Sequence, residues 1–247
     1  MEIRSFGAGR RMRECERLIR EMCASYSGMI ILLPIPTTRD NIYISGTEKS
    51  ISSLYPLFNS NTLLVGYNLP DFLVEKALLS GSRVFDAAKD EIFLAENAKI
   101  SANGAMGYLL TNNSRDMADL RIGVVGYGRI GKEMVRLLLL FGADVTVYTG
   151  RKSVAVELGE SCVGAVVLSE QSDFSRLDIL INTAPARQID ESRLPDNLEI
   201  IDLASGNIFD SSDRLIKLAS IPDVMYPHTA GRLYAEAIIR FLQEVWL

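Results

Sequence analysis

Gly126, Gly128 and Gly131 stand in G-x-G-x-x-G spacing within "VVGYGRIGKEMV" (124–135), after the apolar run "RIGVVG" and at the start of a predicted helix. Spacing and context together suit a dinucleotide pyrophosphate. Gly126 permits a tight turn, Gly128 lets backbone amides reach the phosphates, and Gly131 lets helix and strand pack closely. Arg129 and Ile130 open the helix, whose unpaired N–H groups and positive dipole end favour an anion. The next strand, "DVTVYT" (144–149), ends in Thr149 and is followed by Gly150, Arg151 and Lys152. An NAD-specific site usually carries Asp or Glu here. Two cations in its place suit a 2′-phosphate, so NADP(H) is expected over NAD(H). Later strands end in "NTAPA" (182–186) and "DLASG" (202–206). Ligands of open α/β sheets lie beyond such strand ends, which puts Asn182, Thr183, Ala184, Pro185, Asp202 and Ser205 near the ribose and nicotinamide. The only histidine, His228, sits in "YPHTAGRLYAEA" (226–237). Imidazole exchanges protons near neutrality, so His228 is the candidate acid or base. Amides at Thr229 and Ala230, at a predicted helix start, suit a substrate carboxylate.

Periodicity supplies the elements that must hold these residues. The first hundred residues read as a helix over 10–24, a strand over 29–34, a helix near 49–56, a strand over 62–67, a helix over 70–80 and a strand over 82–87. A long helix over 91–113 carries the small residues Ser101, Ala102, Gly104 and Ala105. They admit a close neighbour, either another helix or a ligand, and Ser101 and Asn103 are the substrate candidates there. From Leu120, strands over 121–126, 144–149, 164–169, 178–184 and 198–204, with helices over 129–141 and 152–159, read as a doubly wound α/β unit. The last segment is an amphipathic helix. The expected fold is therefore α/β: a smaller N-terminal, flavodoxin-like domain (1–92), an interdomain helix and connector (93–119), a Rossmann NAD(P)-binding domain with a parallel sheet (120–228), and a C-terminal helix (229–247) packing back on the domains.

The 247 residues are 48% hydrophobic and 23% charged, enough for one large or two modest cores. A net charge of −5 gives no support to a nucleic-acid partner. Arg4, Arg10, Arg11, Arg13, Arg17 and Arg20 are interleaved with Glu14 and Glu16 and read as a solvated helix face. Cys15, Cys23 and Cys162 lack ligand spacing, so neither a metal nor a disulfide is expected, and they read as buried thiols. "GMIILLPIP" (28–36) is too short to span a bilayer and no signal-peptide pattern opens the chain, so a cytoplasmic protein without a membrane partner is expected.

With these residues in place, the chain resembles the dipicolinate synthase family of bacteria, in its NAD(P)-binding component. The resemblance runs from "FLAENAKISANGAMGYLL" through the glycine motif, "DILINTAPA" and "IIDLASG" to "YPHTAGRLYAEAI", about residues 91–243, and is looser over the first ninety. It implies an N-terminal α/β domain, a Rossmann cofactor domain, and oxidation of a dihydro- or hydroxytetrahydro-dipicolinate to the calcium-chelating acid of bacterial spores, together with a flavoprotein-like second subunit. The cofactor domain is also similar to that of D-2-hydroxyacid dehydrogenases, whose "PHxAG" signature carries the catalytic histidine and matches Pro227, His228, Ala230 and Gly231. Four differences stand beside the likeness. Ser205 replaces the hydroxyacid family's carboxylate-binding arginine, and the stretch before "TAG" is too short for the loop holding its catalytic Glu, which leaves His228 without that orienting carboxylate. Against the synthase family, His228 replaces a lysine and Asn103 an acidic residue.

The residues and the resemblance together imply an NADP(H)-dependent oxidoreductase that removes a hydride from a cyclic imine dicarboxylate, with His228 taking the proton. The alternatives are an NADP-dependent 2-hydroxyacid dehydrogenase or 2-oxoacid reductase, and a non-catalytic NADP(H)-binding partner subunit. The expected partners are a small dicarboxylate or oxoacid substrate and further copies of the chain in a homo-oligomer.

Overall fold

The computed structural model describes residues 1–159, 163–185, 189–204, 206, 209 and 212–246, so Cys162 and Ser205 lie outside the described residues. The chain divides into two units, Met1–Asn97 with Pro222–Leu247, and Ala98–Ile221.

In the first unit four parallel strands, β1 (Glu2–Ser5), β2 (Met29–Leu32), β3 (Thr62–Gly66) and β4 (Arg83–Asp86), lie side by side in chain order. The inner strands are continuous apolar runs, as strands covered on both faces must be; Ile30, Ile31, Leu32, Leu63, Leu64 and Val65 are all buried. Helix α1 (Arg10–Met22) connects β1 to β2, and α2 (Asp71–Leu79) connects β3 to β4. This order has no reversal, so the sheet differs from the 2-1-3-4-5 arrangement of a flavodoxin-like domain. The helix expected near 49–56 is a 3-10 segment, Ile51–Leu57, with Pro56 inside it removing an amide. One face of the sheet packs Ile31, Leu33 and Leu64 against Leu54, Leu69 and Leu73. Helix α7 (Pro227–Trp246) joins this unit: Phe241 lies 5.1 Å from Phe85, and the buried Tyr234 hydroxyl donates to the Leu33 carbonyl at 3.2 Å.

The second unit holds a six-stranded parallel sheet of β5 (Arg121–Val125), β6 (Asp144–Thr149), β7 (Gly164–Val167), β8 (Ile179–Asn182), β9 (Glu199–Asp202) and β10 (Leu215–Lys217). Its order, β10-β9-β8-β5-β6-β7, reverses between β5 and β8 and is the doubly wound Rossmann order expected from the sequence. Helices α4 (Arg129–Leu140) and α5 (Lys152–Gly159) follow β5 and β6. Helix α3 (Glu91–Asn112) starts in the first unit and enters the second at Ala98, where Ala102, Ala105, Met106 and Leu109 join Ile122, Val124 and Leu138 in the core. The units divide at Asn97 and Ala98, so most of α3 lies with the second unit's core. A short helix, α6 (Ile221–Met225), starts at the second crossing, and α7 begins at Pro227, whose fixed φ and missing N–H suit a first helical position. His228 therefore stands inside a helix of the first unit, not at the end of the Rossmann unit.

Candidate functional site

The turn from β5 into α4 is built by its glycines. Gly126 has φ +88° and its amide bonds to the Tyr148 carbonyl at 2.9 Å; the conformation is one that a side chain disfavours. At Gly131 a Cβ would stand 2.4 Å from the Gly126 carbonyl oxygen, so helix and turn meet there without a side chain. At Gly128 nothing lies within 4 Å of where a Cβ would stand. Two glycines thus shape the turn, and the third leaves open space beside the first turn of α4. Arg129 is exposed there, and Ile130 packs against the core.

Beside this turn is a cavity of about 290 Å³, lined by Gly126, Tyr127, Gly128, Tyr148, Thr149, Gly150, Arg151, Leu168, Thr183, Ala184 and Pro185. Tyr148 forms part of its apolar floor: its ring packs 4.7 Å from Phe174, its hydroxyl donates to the Asp173 carbonyl at 2.8 Å, and burial pushes the phenol up to about 12. Thr149 is buried, and its hydroxyl accepts from the Arg151 amide at 3.1 Å. The Arg151 guanidinium donates to the Tyr127 carbonyl at 3.0 Å, which holds a cation across the glycine turn. Lys152, the first residue of α5, is exposed. The donor set fits a nicotinamide dinucleotide: an uncapped helix start, a glycine open to a pyrophosphate, and cations where a ribose-binding carboxylate would stand.

Asn182 and Asp202 take a different part from the one expected. They are register partners at the ends of β8 and β9, each 1% exposed. The Asn182 amide donates to Asp202 Oδ1 at 2.8 Å and to the Ala184 carbonyl at 3.2 Å, while the amides of Ala184 and Ala204 donate back to Asn182 Oδ1 and Asp202 Oδ1. These groups face inward and pin the strand ends. Thr183 does likewise, donating to the Val125 carbonyl at 2.9 Å.

The substrate candidates are rearranged as well. Residues i and i+2 of a helix do not share a face, and on α3 Ser101 is buried while Asn103 is exposed. The small residues around them serve core packing. Ala230 is fully buried and its amide is spent on the Tyr226 carbonyl at 2.8 Å, so it has no free donor for a carboxylate; Thr229 is half-buried. Gly231 marks the crossing of α7 with α1, where a Cβ would stand 2.5 Å from the Arg11 carbonyl.

His228 remains exposed, and it has a carboxylate neighbour after all. Its Nδ1 lies 3.7 Å from Glu14 Oε2 on α1. Glu14 is clasped by Arg17 at 2.8 and 3.1 Å, and this contact holds its carboxyl below the usual carboxylate range, with a smaller part from His228. Sequence reasoning missed this partner because it stands over two hundred residues away.

Arg11 overturns the reading of α1 as a uniformly solvated arginine face. It is 2% exposed, donates to Asp223 Oδ2 at 3.2 Å and Asn97 Oδ1 at 3.1 Å, and lies 5.7 and 5.9 Å from the ring centres of Phe93 and Tyr234. The signal was in the spacing, since Arg11, Cys15 and Ile19 recur every four residues along the buried stripe. Burial pushes the Cys15 thiol far up, making it inert.

Residues 95–220, about half of the chain, match the family described as D-isomer specific 2-hydroxyacid dehydrogenase, NAD binding domain. The chain belongs to that family. A nicotinamide-binding domain follows for the matched residues. A curated relative, the dehydrogenase efuE of Hormonema carpetanum, is 28% identical over 42% of this chain, which spans about a third (32%) of that protein's length. Among solved structures, a dipicolinate synthase component from Bacillus halodurans superposes with a TM-score of 0.78 at 18% identity, covering 98% of this chain and 97% of that one. Its counterpart from Bacillus subtilis gives 0.77 at 17%, covering 100% and 97%; D-lactate dehydrogenase of Escherichia coli gives 0.62 at 13%, covering 99% and 97%. These likenesses establish the fold in both units. No helix among the described residues is long and apolar enough to cross a membrane.

Proposed function

We propose that the chain is an NADP(H)-dependent oxidoreductase of the dipicolinate synthase type, oxidising a dihydrodipicolinate or related cyclic imine dicarboxylate. The observation that carries this reading is the end of β6, where Arg151 bridges to the Tyr127 carbonyl of the glycine turn, Lys152 follows, and the sequence places no Asp or Glu between Thr149 and Lys152. Gly126, Gly128 and the amides opening α4 would hold the pyrophosphate, and Arg151 and Lys152 the 2′-phosphate. A bound nicotinamide would supply the acceptor for a hydride leaving a ring carbon. His228 takes the proton released from the neighbouring ring position, and loss of hydride and proton together leaves an aromatic ring, which drives the oxidation. Glu14 is a positioning residue: Arg17 holds its carboxyl low, and it faces His228 Nδ1 at 3.7 Å, where it orients the ring. The same relay run in reverse would serve a 2-oxoacid reductase, the reading that the family match favours as a second choice.

NADPH absorbance, followed with dihydrodipicolinate precursors and then with 2-oxoacids, tests this with and without a flavoprotein partner. Wild type should turn over the first class and His228→Ala should not. Turnover of neither class would leave a non-catalytic NADP(H)-binding protein. NADPH should bind more tightly than NADH, with Arg151→Ala erasing the difference; equal affinities in the wild type would overturn the cofactor choice.

A further inference from the structure

Strand β1 is an edge of the four-stranded sheet, and part of its backbone is not spent on β2. Glu2 donates its amide to the Gly28 carbonyl at 3.1 Å, and Phe6 donates its amide to the Leu32 carbonyl at 2.9 Å. Alternate residues of a parallel strand face the same neighbour, so Arg4 shares that side, while Ile3 and Ser5 turn their N–H and C=O groups to the open edge. The Ile3 carbonyl accordingly accepts from the Arg20 guanidinium of α1, at 3.5 Å, rather than from a strand. A cavity of about 700 Å³ opens at this edge, lined by Ile3, Arg4, Ser5 and Phe6 together with Glu16 and Leu57. An open edge of this kind is a template for another strand. The side chains narrow the choice of strand. Glu2 and Arg4 lie on the same face of β1, both about half exposed, with 2.6 Å between their charged groups.

We infer that this edge takes β1 of a second copy of the chain, antiparallel and centred on Ile3. Outward-facing residues must stand opposite one another for such a pair to bond, and the registers that allow this differ in charge. Centring on Arg4 sets two arginines opposite each other, which is destabilising. Centring on Ser5 sets Arg4 opposite Phe6 and leaves the charges unmatched. Centring on Ile3 lets Ile3 and its copy exchange both N–H···O bonds, and it sets Glu2 of each copy opposite Arg4 of the other at the positions where side chains approach most closely. The pair that now closes within one strand becomes two pairs across the two-fold axis. The same charges discourage a strand of another sequence. β1 has four residues, so the contact is small and the dimer forms weakly, with rising concentration. The association needs neither cofactor nor substrate and stands apart from the oxidoreductase reading.

The test is sedimentation equilibrium of the full chain over a range of concentrations at low salt. Wild type should show a monomer–dimer equilibrium. Arg4→Glu, which sets carboxylates opposite carboxylates, should raise the dimer Kd by at least about tenfold, and Glu2→Arg should do the same. The exchange Glu2→Arg with Arg4→Glu keeps the net charge and restores both pairs, so its Kd should return to within about threefold of wild type. A monomeric wild type, a dimer indifferent to Arg4→Glu, or an exchange variant that stays monomeric overturns the assignment. Hydrogen exchange on the wild type decides the matter even where a variant fails to fold. The Ile3 amide faces outward and should gain protection as concentration rises. Exchange at Ile3 that is independent of concentration leaves the edge open to some other strand and refutes the second copy.

Discussion

Alanine at Gly128 and alanine at Gly131 should have opposite effects, because the same turn uses the two glycines for different ends. At Gly131 the added methyl would stand 2.4 Å from the Gly126 carbonyl oxygen and 3.0 Å from Thr183 Oγ1, against an ordinary contact of about 3.4 Å or more. Helix α4 would have to retreat from the turn by about 1 Å. Overpacking of this kind costs about 1–3 kcal/mol, a drop of roughly 3–10 °C in Tm for a unit of this size. At Gly128 the methyl meets nothing within 4 Å, and φ is −85°, which any residue adopts. Reduced chain entropy in the unfolded state and a poorer N-cap are each about 0.5–1 kcal/mol and of opposite sign, so stability should change by less than about 0.5 kcal/mol. The methyl instead enters the space beside the cavity where the pyrophosphate must lie, and NADPH affinity should fall by about tenfold or more. Thermal melts without cofactor and fluorescence titration with NADPH separate the two effects. If Gly128→Ala binds NADPH like wild type, or melts as low as Gly131→Ala, the assignment of the cradle is wrong.

Asp178, at the head of β8, accepts from the Arg121 side chain and amide and from Arg115, contacts led by Arg121 that hold its carboxyl well below the usual range. Its contribution should be complete above about pH 4 and lost as pH falls through the lowered folded value. Asp178→Asn should therefore cost about 1–2 kcal/mol at pH 7 in urea melts, with the gap to wild type closing below pH 4; a gap constant from pH 7 to 2 would refute this. Asn182→Leu strips the buried Asp202 carboxylate of its amide donor and should cost about 2–3 kcal/mol, measured by the same melts, whereas a ribose-binding Asn182 would instead show weakened NADPH binding at unchanged stability. His228→Asn should lower kcat by about 10²–10³. Glu14→Gln should lower it by less, with partial recovery in Glu14→Asp and no change in NADPH affinity, and an unaltered kcat would remove Glu14 from the relay.

The second unit was legible because its signals are local. Strands buried on both faces spell apolar runs, and the glycines mark the turn between β5 and α4 within a few residues. The edges were not legible in the same way. β1 and β10 have four and three residues and carry charged side chains, so neither forms a run long enough to stand out. Burial of polar side chains was the larger gap. Asn182 and Asp202 look like strand-end ligands until the register places them opposite one another. Arg11 looks like its five solvated neighbours until α1 is packed, although its four-residue spacing from Cys15 and Ile19 already marked it as inward.

The "PHTAG" run divides in the same manner. Pro227 starts the helix, and Ala230 and Gly231 are small because α7 presses there against α1, so three of the motif's residues are explained by helix start and packing. What remains for chemistry is His228, and its partner comes from the helix that the glycine admits. Glu14 lies three residues beyond Arg11 on α1, and Gly231 contacts both: a Cβ there would stand 2.5 Å from the Arg11 carbonyl and 2.7 Å from the Glu14 Cβ. The absent side chain at Gly231 is thus what brings Glu14 to 3.7 Å from the imidazole. A histidine that looks unsupported in the linear sequence thus has a carboxylate neighbour from the opposite end of the chain.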